Sequence, residues 1–123
     1  MKRSSQESEA GGERMHDDHY CLTYLPIFSH DLNQAYDYIN DVLHNPDAAD
    51  SLINAVEAAI EKRLPNCESF EQYHSIKQRR FPVYRIYVKD YTIFYVVRDD
   101  QGPKKVMEVQ RFLYNGRNHQ GII

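Results

Sequence analysis

The C-terminal half of the chain interleaves tyrosine with arginine and lysine. Among these residues are Tyr84, Arg85, Tyr87, Lys89, Tyr91, Tyr95, Arg98, Arg111, Tyr114 and Arg117. Arginine binds phosphate through two parallel hydrogen bonds and stacks on bases, and tyrosine offers a flat ring to an unpaired base. This combination predicts a surface that could hold single-stranded RNA.

Tyr114 follows the last predicted strand, where core packing ends. A simpler interpretation, that aromatic residues are good strand formers whose rings fill the core, is favoured for Tyr84, Tyr91 and Tyr95.

Charge is divided unevenly along the chain, whose overall net charge is −3. Residues 17–76 contain eleven acids and two bases, a net charge of −9, whereas residues 77–119 contain ten bases and four acids, a net charge of +6. Such asymmetry indicates a charged partner, although a solvated surface with chance clustering would give the same count. The candidate residues for binding nucleic acid or another target are Lys77, Arg79, Arg80, Arg117 and Asn118.

Other common kinds of chemistry have no signature in this sequence. It contains no phosphate-binding glycine loop, no nucleophile elbow and no zinc spacing, so we predict no metal and no cofactor. We interpret Cys21 and Cys67 as reduced thiols, because a secreted disulfide framework of this length would need more cysteines. No membrane-length apolar run and no secretory signal are visible, and we expect a cytoplasmic protein.

The elements that must position these residues begin with a strand and a helix. Residues 20–25 are β-prone and end at Pro26. Apolar residues at steps of three and four, from Leu32 to Leu43, then predict an amphipathic helix with Ser29 as its N-cap.

A second helix and a sheet follow. Asn45 as the cap and Pro46 in the first turn open the helix, which stops at Pro65, and the short connection implies an antiparallel helical hairpin. The apolar period changes to two over residues 84–89, and a turn at Lys89-Asp90 leads to a β-prone run over residues 91–97. With a last strand over residues 105–113, this predicts three strands in a meander. We therefore predict an α+β fold: an N-terminal strand and a helical hairpin packed on a twisted antiparallel sheet of about four strands.

One domain is expected for a chain of 123 residues. Residues 1–18 are polar and have no apolar period, so we interpret them as a disordered tail or an artificial extension. Residues 19–119 are expected to form the domain, and residues 120–123 a C-terminal tail.

In their order along the chain, several segments resemble toxins of the RelE/ParE superfamily, which belong to bacterial type II toxin–antitoxin systems. The resemblance runs from about Tyr20 to His119. It rests on Tyr24-Leu-Pro and Asp31-Leu near the first helix, Asn45-Pro-Asp-Ala-Ala at the second, Tyr84-Arg85 and Asp90-Tyr-Thr-Ile-Phe-Tyr on the middle strands, and Val109-Gln-Arg-Phe-Leu-Tyr-Asn-Gly-Arg-Asn118 at the end.

The resemblance implies a cognate antitoxin that wraps the toxin and blocks its basic surface, so that oligomers form through the antitoxin. An antitoxin segment could lie in a groove beside the sheet or add a strand at an open sheet edge. We expect its acidic groups to meet the basic residues 77–119.

The resemblance also implies two different activities. RelE-like members cut mRNA in the ribosomal A site without a metal, using basic side chains, whereas ParE-like members inhibit DNA gyrase and have no known cleavage chemistry. RelE-type nucleases usually carry arginine where this chain has Thr92, and some members place histidine where it has Leu113. The resemblance therefore makes Arg85, Arg111 and Tyr114 the candidate catalytic residues: either arginine could stabilise the charge of the phosphate, and Tyr114 could take part in proton transfer. We favour such a ribosome-dependent endoribonuclease, which requires that the three residues share one open surface. Gyrase inhibition and a degenerate, antitoxin-binding member are the alternatives, so the sequence leaves open whether the chain is an enzyme.

Overall fold

The computed structural model describes residues 19–74, 80–117, 119 and 122–123, and the predictions made for residues 1–18 lie outside these ranges. The elements, in chain order, are β1 (Tyr20–Tyr24), α1 (Pro26–Asp37), a π-helical turn (Tyr38–Val42), α2 (Pro46–Arg63), a 3₁₀ turn (Leu64–Asn66), β2 (Gln72–Tyr73), β3 (Val83–Val88), β4 (Tyr91–Arg98) and β5 (Lys105–Tyr114). The helices lie before the meander, as the two apolar periods predicted.

The five strands form one open sheet in the order β1-β5-β4-β3-β2. Strands β2 to β5 pair antiparallel, which confirms the predicted α+β fold. Two details differ from the prediction: β2 is an additional strand of two residues, and β1 runs parallel to β5. Two residues carry too little periodicity to predict a strand, and the pairing of the first strand with the last is a long-range contact that no local pattern specifies.

Helix α1 begins at Pro26, earlier than predicted, so the assignment of Ser29 as its N-cap was wrong. Leu25 is the N-cap, with an extended backbone and no side-chain cap. The proline ring fixes a helical φ, and its missing N–H is one that the first turn would leave unpaired anyway. Pro26 therefore ends β1 and starts α1. With the helix beginning at Pro26, Phe28 lies in the core against Phe112.

Helix α2 begins as predicted. The Oδ1 of Asn45 accepts the backbone N–H of Ala48 over 3.1 Å, and Pro46 occupies the first helical position. The buried stripe of the helix consists of Ala49, Leu52, Val56 and Ile60. The other side of α2 carries acidic residues. Among the described residues, no helix is long and apolar enough to cross a membrane.

Each face of the sheet has its own apolar core. On the first face, the helical hairpin covers a core that includes Leu22, Ile86, Tyr95, Met107 and Phe112. On the second face, Val83, Phe94, Val96 and Leu113 pack with Ile123, and Ile122 lies against them. The expected tail at residues 120–123 therefore ends in a buried residue, because these isoleucines supply apolar cover for the second face.

Candidate functional site

Arg111, a candidate for holding phosphate, is bound to a carboxylate of α1. Its guanidinium donates from Nε to Oδ2 of Asp31 over 2.8 Å and from Nη2 to Oδ1 over 3.1 Å. Asp31 is only 8% exposed. Bidentate arginine–carboxylate pairs are among the stronger charge-assisted hydrogen bonds. Arg111 therefore ties the helix to the sheet, and its charge is already neutralised.

The length of β1 explains why Asp31 is needed there. The strand ends at Tyr24, opposite Val109, so the later part of β5 has no neighbouring strand on that side. In that gap the Oδ2 of Asp31 accepts the backbone N–H of Phe112 over 3.0 Å. A buried N–H without a partner would cost free energy, and the carboxylate supplies the acceptor that a longer β1 would have offered.

Arg85 lies on the second face of the sheet, because its neighbours Tyr84 and Ile86 both point into the first core. The central carbon of its guanidinium is 5.0 Å from the ring centroid of Tyr73 and 5.6 Å from that of Tyr87. No carboxylate in the described ranges lies within ion-pair distance of it. Arg85 is thus held between two tyrosines with its charge uncompensated.

Tyr114 points to the other side of the sheet. It lies opposite Tyr91 in the β4–β5 ladder, with the two ring centroids 5.7 Å apart. Tyr91 in turn stacks at 4.6 Å on Phe112, a residue of the first core. Residues directly opposite in a ladder share a face, so Tyr114 projects on the helical side and Arg85 on the opposite side. The three candidate catalytic residues do not share one open surface.

The two positions that depart from the RelE-type pattern are both buried. Thr92 and Leu113 face each other in the β4–β5 ladder. The hydroxyl of Thr92 donates to Oδ1 of Asn115, and Leu113 belongs to the second core. A hydroxyl with its hydrogen bond satisfied and a buried apolar side chain therefore occupy the two positions at which the resemblance led us to compare this chain with RelE-type nucleases.

Other bases of the C-terminal half are also paired. Arg98 binds Asp100 and Glu108, each over 3.1 Å. Lys105 binds Glu68 at the same distance. Asp100 and Glu108 are already counted in the net charge of +6, whereas Glu68 lies outside residues 77–119 and therefore offsets one further positive charge of this half.

The predicted target-binding residues are only partly described. Arg80 is exposed, with Asp100 at 3.8 Å. Arg117 is exposed in the turn after β5. The predictions for Lys77, Arg79 and Asn118 lie outside the described residues.

A groove of about 780 Å³ opens on the first face, and of the predicted site residues Tyr114 lines it. Its walls are the π-helical turn, the start of α2, the β3–β4 turn and the end of β5; its lining includes Tyr38, Ile39, Leu43, Leu52, Tyr91 and Tyr114. Burial, with Asp90 beside it, raises the pKa of Tyr91 above its ordinary value of 10.0. In the described part of the chain, no three histidine, cysteine or acidic side chains cluster as metal ligands would. The lining of the groove combines its apolar and aromatic side chains with the polar or charged residues Asn45, Ser51, Lys89 and Asp90.

The helical hairpin and the open sheet agree with one comparison with known proteins. A family model described as the ParE toxin of the type II toxin–antitoxin system, parDE, matches residues 22–118. A comparison with curated proteins finds no significant match. The resemblance to the RelE/ParE superfamily is confirmed, and the chain belongs to the family of ParE toxins of type II toxin–antitoxin systems.

Proposed function

We propose that this toxin acts in the cytoplasm by binding a target protein, with DNA gyrase as the candidate, and that it does not cleave mRNA. The observation that carries the proposal is the bidentate pair between Asp31 and Arg111. A guanidinium already neutralised by a buried carboxylate cannot also stabilise the developing charge of a cleaved phosphate without breaking that pair.

The separation of the other two candidates supports the same proposal. Arg85 and Tyr114 lie on opposite faces of the sheet. Concerted stabilisation and proton transfer need both groups within hydrogen-bond reach of one phosphodiester. The centre of the second face is moreover packed by Phe94 and Ile123, which are both buried.

Gyrase is the candidate because inhibition of that enzyme is what the resemblance implies for ParE-like members, and the matching family is the ParE toxin family. A toxin of this family has a cognate antitoxin as its partner. Inhibition by binding requires an exposed apolar surface, and the groove on the first face offers one.

The test uses the purified full-length chain in two assays run side by side. Gyrase supercoiling should be slowed or trapped in proportion to the toxin added, and toeprinting of a translated message should show no new cleavage. Cleavage of the message together with unaffected supercoiling would overturn the proposal. If induction of the gene does not arrest growth, the degenerate, antitoxin-binding alternative is correct.

Ribosome-dependent mRNA cleavage is the second candidate, and the state of Arg85 favours it. This guanidinium lies within cation–π distance of the rings of Tyr73 and Tyr87 and has no ion pair with a described carboxylate. Such an arginine can bind a phosphate. In this alternative Arg85→Ala would abolish cleavage of the message, whereas under our proposal the wild-type chain has no cleavage to lose.

A further inference from the structure

Two strands of the sheet are longer than the neighbours that flank them. β1 ends at Tyr24, whereas β5 continues past this pairing to Tyr114. On the other side of the sheet, β2 pairs only with Val83 and Tyr84, whereas β3 continues to Val88. The later parts of β3 and β5 therefore have no described strand on their outer sides. Such an open edge is a template for pairing with another chain.

The open edge of β3 is occupied by Arg63, the last residue of α2. Its Nη1 donates over 3.1 Å to the backbone carbonyl of Arg85, the first β3 residue beyond the pairs with β2. The same nitrogen donates to the Tyr95 hydroxyl over 3.0 Å, and the centre of the guanidinium is 3.5 Å from the ring centroid of Phe70. No described carboxylate forms an ion pair with Arg63. The guanidinium therefore supplies the donor that a longer β2 would have offered to the carbonyl.

The open edge of β5 is occupied in the same way by Asp31 of α1. Its carboxylate accepts the backbone N–H of Phe112, which lies beyond the last residue that pairs with β1. A guanidinium only donates, so it can cap a carbonyl, and a carboxylate only accepts, so it can cap an N–H. Each helix thus places one charged side chain against one open strand edge.

Arg63 also obstructs the part of β3 that follows Arg85. Alternate residues of an antiparallel strand direct their N–H and C=O groups to the same side, so those of Tyr87 face the same outer edge as the Arg85 carbonyl. A strand from another molecule that paired with Tyr87 and continued along β3 would meet the guanidinium. Displacing this charged group from its hydrogen bonds would cost free energy, because its partners would be left unsatisfied.

We propose that Arg63 and Asp31 act as edge guards: charged helix side chains that replace the missing strand neighbours and prevent the sheet from pairing with other copies of this chain. Charged side chains at sheet edges are one of the means by which proteins avoid such pairing. The proposal does not depend on the target of the toxin. It gives Arg63 a role in association, which depends on protein concentration and can therefore be separated from a contribution to folding.

The experiment measures self-association of the full chain by sedimentation velocity over a range of protein concentrations. Arg63→Met keeps an unbranched side chain beside Phe70 but removes every donor. Asn45→Ala is the matched control, since it removes one hydrogen bond at the opposite end of α2 and opens no strand edge. In the double variant Arg63→Met/Tyr87→Pro, a proline removes a backbone N–H from the same edge and should block pairing there.

We expect Arg63→Met to associate at concentrations at least about tenfold lower than the wild type, because an uncapped edge offers several backbone hydrogen bonds to a second strand. Infrared absorption in the amide I region should show additional intermolecular strand pairing. Asn45→Ala should match the wild type, and Tyr87→Pro should return the association of the arginine variant to the wild-type range. Asp31→Ala should also associate, through β5, and Tyr87→Pro should not correct that.

Association of Arg63→Met equal to that of the wild type would overturn the proposal. Equally strong association of Asn45→Ala would overturn it as well, since the cause would then be lost stability. If Arg63→Met does not fold, Phe70→Ala decides, because this exposed ring supports the guanidinium without being part of the core. That variant should shift association in the same direction, and a wild-type result there contradicts the role of Arg63.

Discussion

Asp31 and Arg111 lie 80 positions apart in the sequence and form a bidentate ion pair between α1 and β5. The same carboxylate also accepts the backbone N–H of Phe112, so it holds three hydrogen bonds at the edge of the sheet. One aspartate thereby fixes the docking of the helical hairpin and withdraws an arginine from the protein surface.

Asp31→Ala should lower the free energy of unfolding by about 3 kcal/mol, because it leaves Arg111 without its counter-charge and Phe112 N–H without an acceptor. Urea unfolding monitored by circular dichroism measures the loss. Asp41→Ala, at an exposed acid of the same hairpin, should cost less than about 0.5 kcal/mol. The double variant Asp31→Leu/Arg111→Met should lose less than the sum of its two single variants, since no charge then remains unpaired. Additive losses would show that the pair contributes nothing of its own.

Asn45→Ala should lower the free energy of unfolding by about 1 kcal/mol, because it removes the side-chain acceptor of Ala48 N–H at the start of α2. Asn45→Asp keeps that acceptor and should retain most of the stability. Equilibrium unfolding of both variants gives the comparison. Equal losses in the two would mean that the cap hydrogen bond is not the cause.

Tyr95→Phe should destabilise the protein by about 1–3 kcal/mol, because the Tyr95 hydroxyl donates to the buried carbonyl of Cys67 over 2.7 Å and accepts from Arg63 over 3.0 Å. Burial raises the pKa of Tyr95 from 10.0 to about 12, with Arg63 acting in the opposite direction. A raised phenol pKa gives stability that is complete below pH 10 and is lost as the pH rises through 12.

The unfolding free energy of the wild type should therefore fall between pH 10 and pH 12, and Tyr95→Phe should remove part of that fall. Absorbance at the tyrosinate wavelength, followed through the same pH range, identifies the group. Tyr87→Phe, at an exposed ring, is the control, and an equal change in the two variants would contradict the assignment.

Arg98→Gln should raise the pKa of Asp100 from about 2 toward its ordinary value of 3.8, because the hydrogen bond from Arg98 is the main cause of the depression. A lowered carboxyl pKa gives stability that is present above pH 3.8 and is lost as the pH falls through 2. Titration of the Asp100 carboxyl by NMR measures the pKa directly. Arg80→Gln should change the pKa much less, since Arg80 is exposed and lies 3.8 Å from that carboxylate; a larger effect there would reverse the assignment.

Several parts of the fold could be predicted because their cause is local. Asn45 and Pro46 mark the start of α2 by residue type alone, and the apolar periods assign the hairpin and the meander to helix and strand. Ser29 shows the limit of the same reasoning: two residues could begin α1, and Pro26 did so because its ring presets the helical φ.

The candidate site depended on relations that local patterns do not contain. Arg85, Arg111 and Tyr114 have suitable chemistry, but their faces are set by strand register and by the bulge in β5. The exposure of Leu43 follows from one wide turn, which a period of three and four residues does not report.

The sequence by itself determined the element types, the cap of α2, the division of charge and the resemblance that the ParE family match confirmed. Only the tertiary structure decided that Arg111 is neutralised by Asp31, that Arg85 and Tyr114 lie on opposite faces, and that a groove opens beside the hairpin. The physical reason is that periodicity and capping depend on neighbouring residues, whereas ion pairing and grooves depend on contacts between segments far apart in the chain.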